Sequence, residues 1–201
     1  MDGDRERWNA RWRERNSDLD GESSLLSDHA QLFPRRGKAL DLAGGAGRNA
    51  MWLMRRGLDV TLVDVSDVAL DKAEERAKRA GLAARLKVYH LDLELPLPFA
   101  PLFDVVLVMN YLDRERRDDF ARLLFDGGLL VACHPTTGRF AVELKELELW
   151  VRQLGFELLA SRKGEGEGAE RGQVGVIARR RAEKPAEPEP DEPSPSEGPY
   201  R

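Results

Sequence analysis

The stretch Lys38–Asn49, KALDLAGGAGRN, decides how this chain folds, together with the following run Asp59–Ser66, DVTLVDVS. A short apolar strand enters a glycine-dense turn, the turn opens a helix, and a second strand ends on Asp64, 23 positions after Asp41. Glycines let a backbone approach a ligand closely, and an acid at the second strand end can accept hydrogen bonds from a ribose diol. The pair predicts a nucleoside-sized slot at the edge of a parallel sheet. The structural alternative is a turn that serves strand–helix packing alone.

Strands alternate with helices along the chain, which favours an α/β fold with helices on both faces of a parallel sheet. The loop GEGEGAERG separates the last two strands, so we expect a hairpin there, with the last strand antiparallel in a Rossmann-like, seven-stranded mixed sheet. The predicted strands are Ala39–Ala43, Val60–Asp64, Arg85–Leu91, Phe103–Asn110, Gly128–His134, Phe156–Arg162 and Gln173–Arg180. The predicted helices are residues 4–15, Ser23–Phe33, Gly47–Arg56, Ser66–Ala80, Asp113–Phe125 and Ala141–Leu154.

The 201 residues suffice for one α/β domain and are too few for two substantial ones. We expect an N-terminal helical lid segment over residues 1–36, a ligand-binding domain over residues 37–182, and an acidic, proline-rich tail over residues 183–201. The tail holds six of the eleven prolines and little that is apolar, so we expect it to be disordered.

Charge is unevenly distributed. The net charge of −4 comes from the tail alone, so residues 1–182 sum to zero. A neutral body lacks the basic field that favours nucleic acid, and we expect no nucleic-acid partner.

Cysteine and histidine usage excludes several kinds of site. Cys133 is the only cysteine, so an intramolecular disulfide is impossible, and it lies within an apolar strand that suggests a core position. His29 and His90 show no metal-ligand spacing, so no metal is expected.

The N-terminus is charged throughout and no apolar run is long enough to span a bilayer, which predicts a cytoplasmic protein with no membrane partner.

The segment Gly45–Ala50 also satisfies the dinucleotide fingerprint G-x-G-x-x-G/A, so a nicotinamide cofactor is the first alternative. Asp41 counts against it, because a carboxylate inside the first strand suits an ammonium and a sulfonium better than two phosphates. Asp92, after the third strand, is placed to accept from an exocyclic adenine amine. There is also no Tyr-x-x-x-Lys pair for hydride transfer.

Five motifs in order carry a resemblance to a known family. Asp41–Gly47, DLAGGAG, is similar to the first motif, D-x-G-x-G-x-G. Ala43 stands in place of the first glycine of that motif, and Gly44 stands where a Cys or Ser is usual. Four further motifs follow in order: Asp64-Val65, Asp92-Leu93, Phe103–Val106 together with Asn110–Leu112, and Asp126–Leu130. In addition, the opening segment Trp8–Trp12 is similar to a W-x-x-R-Y segment. Over about residues 8–180 the chain resembles class I S-adenosylmethionine-dependent methyltransferases, particularly the small-molecule type that includes tellurite-resistance and thiopurine methyltransferases.

The resemblance implies S-adenosylmethionine as cofactor and a methyl transfer to a small-molecule acceptor. It implies that Asp64 binds the ribose, that Val65 lies under the adenine, and that the N-terminal helix covers the cofactor. The implied cofactor-binding residues are Trp8, Arg11, Trp12, Asp41, Ala43, Gly45, Gly47, Asn49, Asp64, Val65, Asp92, Leu93 and Asn110.

The implied chemistry is an in-line displacement in which positioning supplies much of the rate, so no catalytic side chain is assigned. Tyr111 and His134 are the candidates for binding the acceptor, and the short connection Pro135–Phe140 favours a small one. A second alternative is a non-catalytic binding protein of the same fold, suggested by Ala43 and Gly44. The residues predict neither the identity of the acceptor nor the oligomeric state.

Overall fold

A computed structural model describes residues 2–15, 21–100, 103–164 and 172–182. One seven-stranded sheet has the order β3-β2-β1-β4-β5-β7-β6. The strands are β1 (Lys38–Leu42), β2 (Asp59–Asp64), β3 (Leu86–His90), β4 (Phe103–Met109), β5 (Leu124–Pro135), β6 (Glu157–Lys163) and β7 (Gln173–Arg179). The predicted tail, residues 183–201, lies outside the described residues, and the division at residues 36 and 182 stays a prediction.

The first five strands are parallel, and β7 is antiparallel to both β5 and β6. The predicted Rossmann-like mixed sheet with an antiparallel last strand is therefore confirmed. The antiparallel strand lies one place in from the edge, because β7 inserts between β5 and β6.

Helices cover both faces of the sheet, as expected for parallel strands. The helices are α1 (Asp2–Glu14), α2 (Ser24–Ser27), α3 (Arg48–Arg55), α4 (Asp67–Arg79), α5 (Arg117–Ala121) and α6 (Leu144–Gln153). Alternate strand residues point to opposite faces, so Leu62 packs in a core with α3 and α4, while Leu130 packs in a second core with α5 and α6. No helix of the described ranges is both long and apolar enough to cross a membrane.

Two predicted helices are less than half as long in the structure as predicted. The helix predicted over Ser23–Phe33 begins with Ser23 as its cap, as expected, but α2 ends at Ser27 and a short 3-10 turn, Ala30–Leu32, follows. The helix predicted over Asp113–Phe125 is reduced to α5, because Leu124 pairs with Phe103 and begins β5. A tertiary strand pairing overrides the helical periodicity there.

Candidate functional site

A cavity of about 360 Å³ opens at the carboxyl ends of the parallel strands, above the neighbours β1 and β4. Chain order reverses between these two strands, which is where open α/β sheets bind ligands. The volume falls within the range of small-molecule sites. The lining residues are Asp4, Trp8, Arg11, Trp12, Arg15, Asp41, Ala43, Gly44, Gly45, Ala46, Arg48, Asn49, Asp64, Val65, Arg76, Asp92, Leu93, Glu94, Met109, Asn110, Tyr111, Arg139, Phe140 and Gln173.

The cavity brings together most of the side chains that the sequence proposed for it. Twelve of the thirteen predicted cofactor-binding residues line it, and so does Tyr111. Gly47 is not among the lining residues, because it forms the cap of α3 in the left-handed conformation, with φ 71°. His134 is not among them either, and its side chain is buried.

Asp41 is a buried carboxylate without a partner. It lies on β1, is 1% exposed, and neither carboxylate oxygen has a hydrogen-bond partner among the described residues. Burial raises the pKa of Asp41 to about 7, with a smaller contribution from Asp64 and an opposing one from Arg48. A Cβ on Gly44 would lie 2.8 Å from the Asp41 carboxyl carbon, so the glycine keeps the space over this acid open. A cation entering the cavity would therefore find an unpaired acceptor.

Asp64 is held in a fixed orientation by backbone N–H groups. Its Oδ2 accepts from Gly45 N at 2.8 Å and its Oδ1 accepts from Ser66 N at 2.9 Å. Burial raises the pKa of Asp64, and the hydrogen bonds from Ser66 and Gly45 act in the opposite direction. A carboxylate oxygen can accept more than one hydrogen bond, so both oxygens keep capacity for a ligand's hydroxyl donors.

The glycine turn lies against the N-terminal helix. Gly45 has φ +57°, and a Cβ there would overlap ring atom Cζ2 of Trp12. Ala43 also has a left-handed backbone, with φ 52°, at the position where the related motif has glycine. Such a conformation is costly for a side chain, so the turn holds backbone strain at Ala43.

Helix α1 is attached to the start of α4 by polar contacts. Asp67 accepts from Arg5 at 3.0 Å and from the Asn9 amide at 2.5 Å, and Ser66 Oγ donates to Asn9 Oδ1 at 2.6 Å. Lys72 Nζ donates to the backbone carbonyls of Trp12 and Arg15 near the end of α1. These contacts hold α1 across the cavity.

The end of β4 is organised by a second polar cluster. Asn110 has a left-handed backbone, with φ 57°, and its side-chain carbonyl accepts from Gln173 Nε2 at 3.1 Å. Asn49 accepts from Ser23 N at 3.0 Å and donates to Met109 Sδ at 3.0 Å. Asn49 thus joins α3 to β4 beneath the cavity.

One end of the cavity, which we call the acceptor end, consists of Asp4, Glu94, Tyr111, Arg139 and Phe140. The Tyr111 and Phe140 rings lie 5.6 Å apart, and the Arg139 guanidinium lies 5.3 Å from the Phe140 ring centre. Arg139 pairs with Asp4 at 3.2 Å and approaches Glu94 at 3.9 Å. Burial raises the pKa of Tyr111 to about 12, with contributions from nearby carboxylates, so its hydroxyl is neutral.

Sequence reasoning missed several lining residues. Gly44, Ala46, Arg48 and Met109 adjoin selected positions, so including immediate neighbours of each motif would have found them. Asp4 and Arg15 lie about one turn from Trp8 and Trp12 on α1. Glu94 likewise follows the selected Leu93, whereas Arg76, Arg139, Phe140 and Gln173 belong to none of the motifs and reach the cavity through tertiary folding.

The other candidate side chains lie outside the lining. His134 is 1% exposed, neither ring nitrogen has a partner among the described residues, and burial lowers its pKa to about 4. His29 and His90 are engaged with the backbone carbonyls of Leu25 and Val65. Within the described ranges, no cluster of three His, Cys, Asp or Glu residues could hold a metal ion.

Comparison with known proteins identifies a domain in this chain. Residues 39–128, from β1 into β5, match a family described as a methyltransferase domain. Over these residues the match agrees with the predicted resemblance to methyltransferases.

The curated relatives are more distant. A tRNA 5-carboxymethoxyuridine methyltransferase of Escherichia coli is 29% identical over 108 residues, which cover 50% of this chain and 41% of the relative. The chain thus spans about two fifths of the length of the curated relatives that it matches.

Solved structures show the same fold. TehB from Haemophilus influenzae aligns with a TM-score of 0.67 at 18% identity, over 87% of this chain and 67% of that one. The 1,6-didemethyltoxoflavin-N1-methyltransferase of Burkholderia thailandensis, solved with its acceptor and S-adenosylhomocysteine, aligns with a TM-score of 0.67 at 18% identity, over 90% of this chain and 87% of that one.

Proposed function

We propose that this chain, whose residues 39–128 match a methyltransferase domain, transfers the methyl group of S-adenosylmethionine to a small-molecule acceptor. The observation that carries the proposal is the buried, unpartnered carboxylate of Asp41 in a cavity where the neighbouring parallel strand, β2, ends on Asp64. An uncompensated buried charge is costly, and a bound ammonium or sulfonium would offset that cost.

The described residues fit the cofactor at several points. Asp64, oriented by Gly45 N and Ser66 N, can accept from the ribose hydroxyls, and Asp92 and Leu93 would border the adenine. Trp8, Arg11 and Trp12 on α1 would cover it. When bound, the cofactor supplies a methyl group already activated by the sulfonium, so the contribution of these residues is orientation and exclusion of water.

Calorimetric titration with S-adenosylhomocysteine and, separately, with NADH tests the proposal. We expect micromolar binding of S-adenosylhomocysteine, weakened at least about tenfold in Asp64→Asn because hydrogen bonds to a charged acceptor are lost. Asp71→Asn is the matched control, since Asp71 is exposed on α4. Binding of NADH without S-adenosylhomocysteine binding would favour the oxidoreductase alternative and contradict the proposal.

Methyl transfer from labelled S-adenosylmethionine then separates an enzyme from a non-catalytic binder. A panel of thiols, amines and oxyanions is incubated with the protein, and label is followed into product. Tight S-adenosylhomocysteine binding with no turnover on any acceptor would support the non-catalytic alternative.

A nucleic-acid acceptor is the second candidate, and the tRNA-modifying relative is the observation that favours it. Helix α1 also stacks Arg11 over Trp8 at 4.9 Å and Arg15 over Trp12 at 5.2 Å, and such aromatic and basic pairs can hold unpaired bases. The zero net charge of residues 1–182 weighs against it. Label appearing in bulk tRNA rather than in small molecules would establish this candidate instead.

A further inference from the structure

The acceptor end of the cavity offers no free general base among the described residues. The described lining contains no histidine, lysine or cysteine. Asp41, Asp64 and Asp92 belong to the cofactor end, and Tyr111 carries a neutral hydroxyl because burial raises its pKa to about 12. The two remaining carboxylates, Asp4 and Glu94, both face Arg139.

An acceptor that must lose a proton would therefore find no group placed to take it. General bases act within hydrogen-bond reach of the proton, and their efficiency depends on a pKa near the working pH. Both carboxylates are already engaged by the Arg139 guanidinium, and the second oxygen of Asp4 lies 2.8 Å from Arg7. The arrangement instead suits an acceptor that is ionised before it binds.

Arg139 is the group that would recognise such an ionised acceptor. Its side chain is 52% exposed, and it reaches across the cavity mouth from the connection between β5 and α6. The chain's own Asp4 carboxylate lies 3.2 Å from one guanidinium nitrogen, and Glu94 lies 3.9 Å from another. Guanidinium groups bind carboxylates in a planar, two-point geometry, so Asp4 occupies a position that a ligand's carboxylate can take.

The neighbouring surface is formed by two aromatic rings. Phe140 lies beneath the Arg139 guanidinium, and the Tyr111 ring is tilted against it at 47°. Aromatic side chains in this arrangement favour a planar ligand body.

We propose that the methyl acceptor is a small aromatic carboxylic acid whose carboxylate replaces Asp4 on Arg139 and is itself the nucleophile. This inference rests on the proposed methyltransferase function. A carboxylate oxygen forms a bond to the methyl carbon while the bond from that carbon to sulfur breaks, and the electron pair stays on sulfur. Anion and sulfonium become a neutral ester and a neutral thioether, so no proton moves and no base is needed. The ester has lost the charge that Arg139 binds, which favours its release.

Binding to the protein already saturated with S-adenosylhomocysteine tests the proposal. The probes are benzoate, phenylacetate and 4-hydroxybenzoate, each compared by calorimetry with its amide and its methyl ester. We expect at least one acid to bind about tenfold more tightly than its amide and ester. That preference should disappear in Arg139→Gln and increase in Asp4→Asn, which removes the competing carboxylate. Arg122→Gln is the control, because Arg122 pairs with Asp119 on the surface away from the cavity.

The outcomes are distinct. Absence of S-adenosylhomocysteine binding would count against the proposed function, and it is measured first. If that ligand binds but no acid does, or if amides bind equally well, the carboxylate proposal is overturned. The same conclusion follows if the preference survives in Arg139→Gln.

Discussion

Three acids of the cavity differ in charge and orientation because their surroundings differ. Burial raises the pKa of Asp41 to about 7. Asp64 is also buried, but two backbone donors fix its oxygens. Asp92 is partly exposed and accepts from Glu94 N at 2.9 Å. Three aspartates can therefore bind a cationic group, a diol and an amine at three points of one ligand.

Gly45→Ala should weaken S-adenosylhomocysteine binding at least about tenfold, because the new methyl group would displace Trp12 from the glycine turn and strain a left-handed backbone. Titration calorimetry measures the affinity, and tryptophan fluorescence reports the altered environment of α1.

Gly81→Ala is the matched control for this prediction. Gly81 has φ +70°, but a Cβ there would meet nothing within 4 Å. Backbone strain in Gly81→Ala should lower the free energy of unfolding by about 1 kcal/mol and leave the affinity for S-adenosylhomocysteine unchanged. Equal losses of affinity in both variants would contradict the role assigned to the contact with Trp12.

At the scale of residues, the sequence could predict the positions that belong to one continuous motif. Gly45 and Asp64 could be selected because a strand, a turn and a strand have fixed local geometry. Arg139 and Gln173 could not, because their neighbours in space are remote in sequence and the connecting loops carry no motif. His134 shows the opposite failure: its place at the end of β5 was predictable, but the face on which it lies depends on a register set by β7.

At the scale of elements, α1 is bound to the domain through polar contacts more than through apolar burial. Of its described side chains only Asn9 is buried, whereas Arg5 and Trp12 remain partly or largely exposed. The bonds to Asp67 and Lys72 therefore determine how firmly α1 closes the cavity. Hydrogen bonds from Arg5 and Asn9 lower the pKa of Asp67 to about 2, so the stability from this attachment should be complete above about pH 4 and lost as pH falls toward 2.

Lys72→Met should loosen α1 while leaving the sheet intact, because methionine keeps most of the apolar stem but cannot donate to the carbonyls of Trp12 and Arg15. We expect faster amide hydrogen exchange in residues 2–15 and a loss of S-adenosylhomocysteine affinity of about 1–2 kcal/mol. Exchange measured by mass spectrometry, together with calorimetry, provides both readouts.

Lys78→Met on the exposed side of the same helix is the control, and both of its readouts should match the parent protein. If hydrogen exchange in α1 is unchanged in Lys72→Met, the contacts to Lys72 do not hold the helix in place.

Element prediction succeeded where local signals and tertiary pairing agree. Helix α4 begins after Ser66, whose hydroxyl accepts from Ala69 N at 3.1 Å, as its sequence position suggests. The helix expected over Asp113–Phe125 failed because its apolar residues serve two elements. Phe120 and Ala121 face the core from α5, whereas Leu124 is drawn into β5.

At the scale of the whole molecule, two buried groups oppose each other as pH changes. The folded pKa of Asp41 is about 7 against an ordinary 3.8, so this group lowers stability progressively as pH rises from about 4 to 7. The folded pKa of His134 is about 4 against an ordinary 6.5, because burial disfavours the charged ring, so it lowers stability as pH falls from about 6.5 to 4. As pH rises, Asp41 lowers the free energy of unfolding and His134 raises it, over nearly the same pH range.

Single substitutions should separate the effects of Asp41 and His134 on how the free energy of unfolding changes with pH. In ligand-free Asp41→Asn, the free energy of unfolding should increase relative to the parent at pH 8 by roughly 3 kcal/mol and change little at pH 4. In His134→Phe the gain, also of the order of 3 kcal/mol, should appear at pH 4 and vanish above pH 7. Urea unfolding across pH 4–8 measures both.

Asp71→Asn is the control substitution, because Asp71 is exposed on α4 and does not shift the pKa of Asp41 or of His134. A parallel shift of the Asp41→Asn curve at every pH would show that its effect arises from packing and not from ionisation.

The position of β7 also has a consequence for how the molecule is made. Synthesis delivers β6 before β7, yet in the described sheet β6 pairs only with β7, and β7 in turn brings Gln173 to Asn110. While residues 173–179 are still inside the ribosome, β6 has no neighbour, the edge of β5 is open, and one wall of the cavity is missing. Early strands can assemble on the nascent chain, but a complete cavity forms only after β7 is released. The growing polypeptide thus acquires its full ligand site only once β7 has left the ribosome.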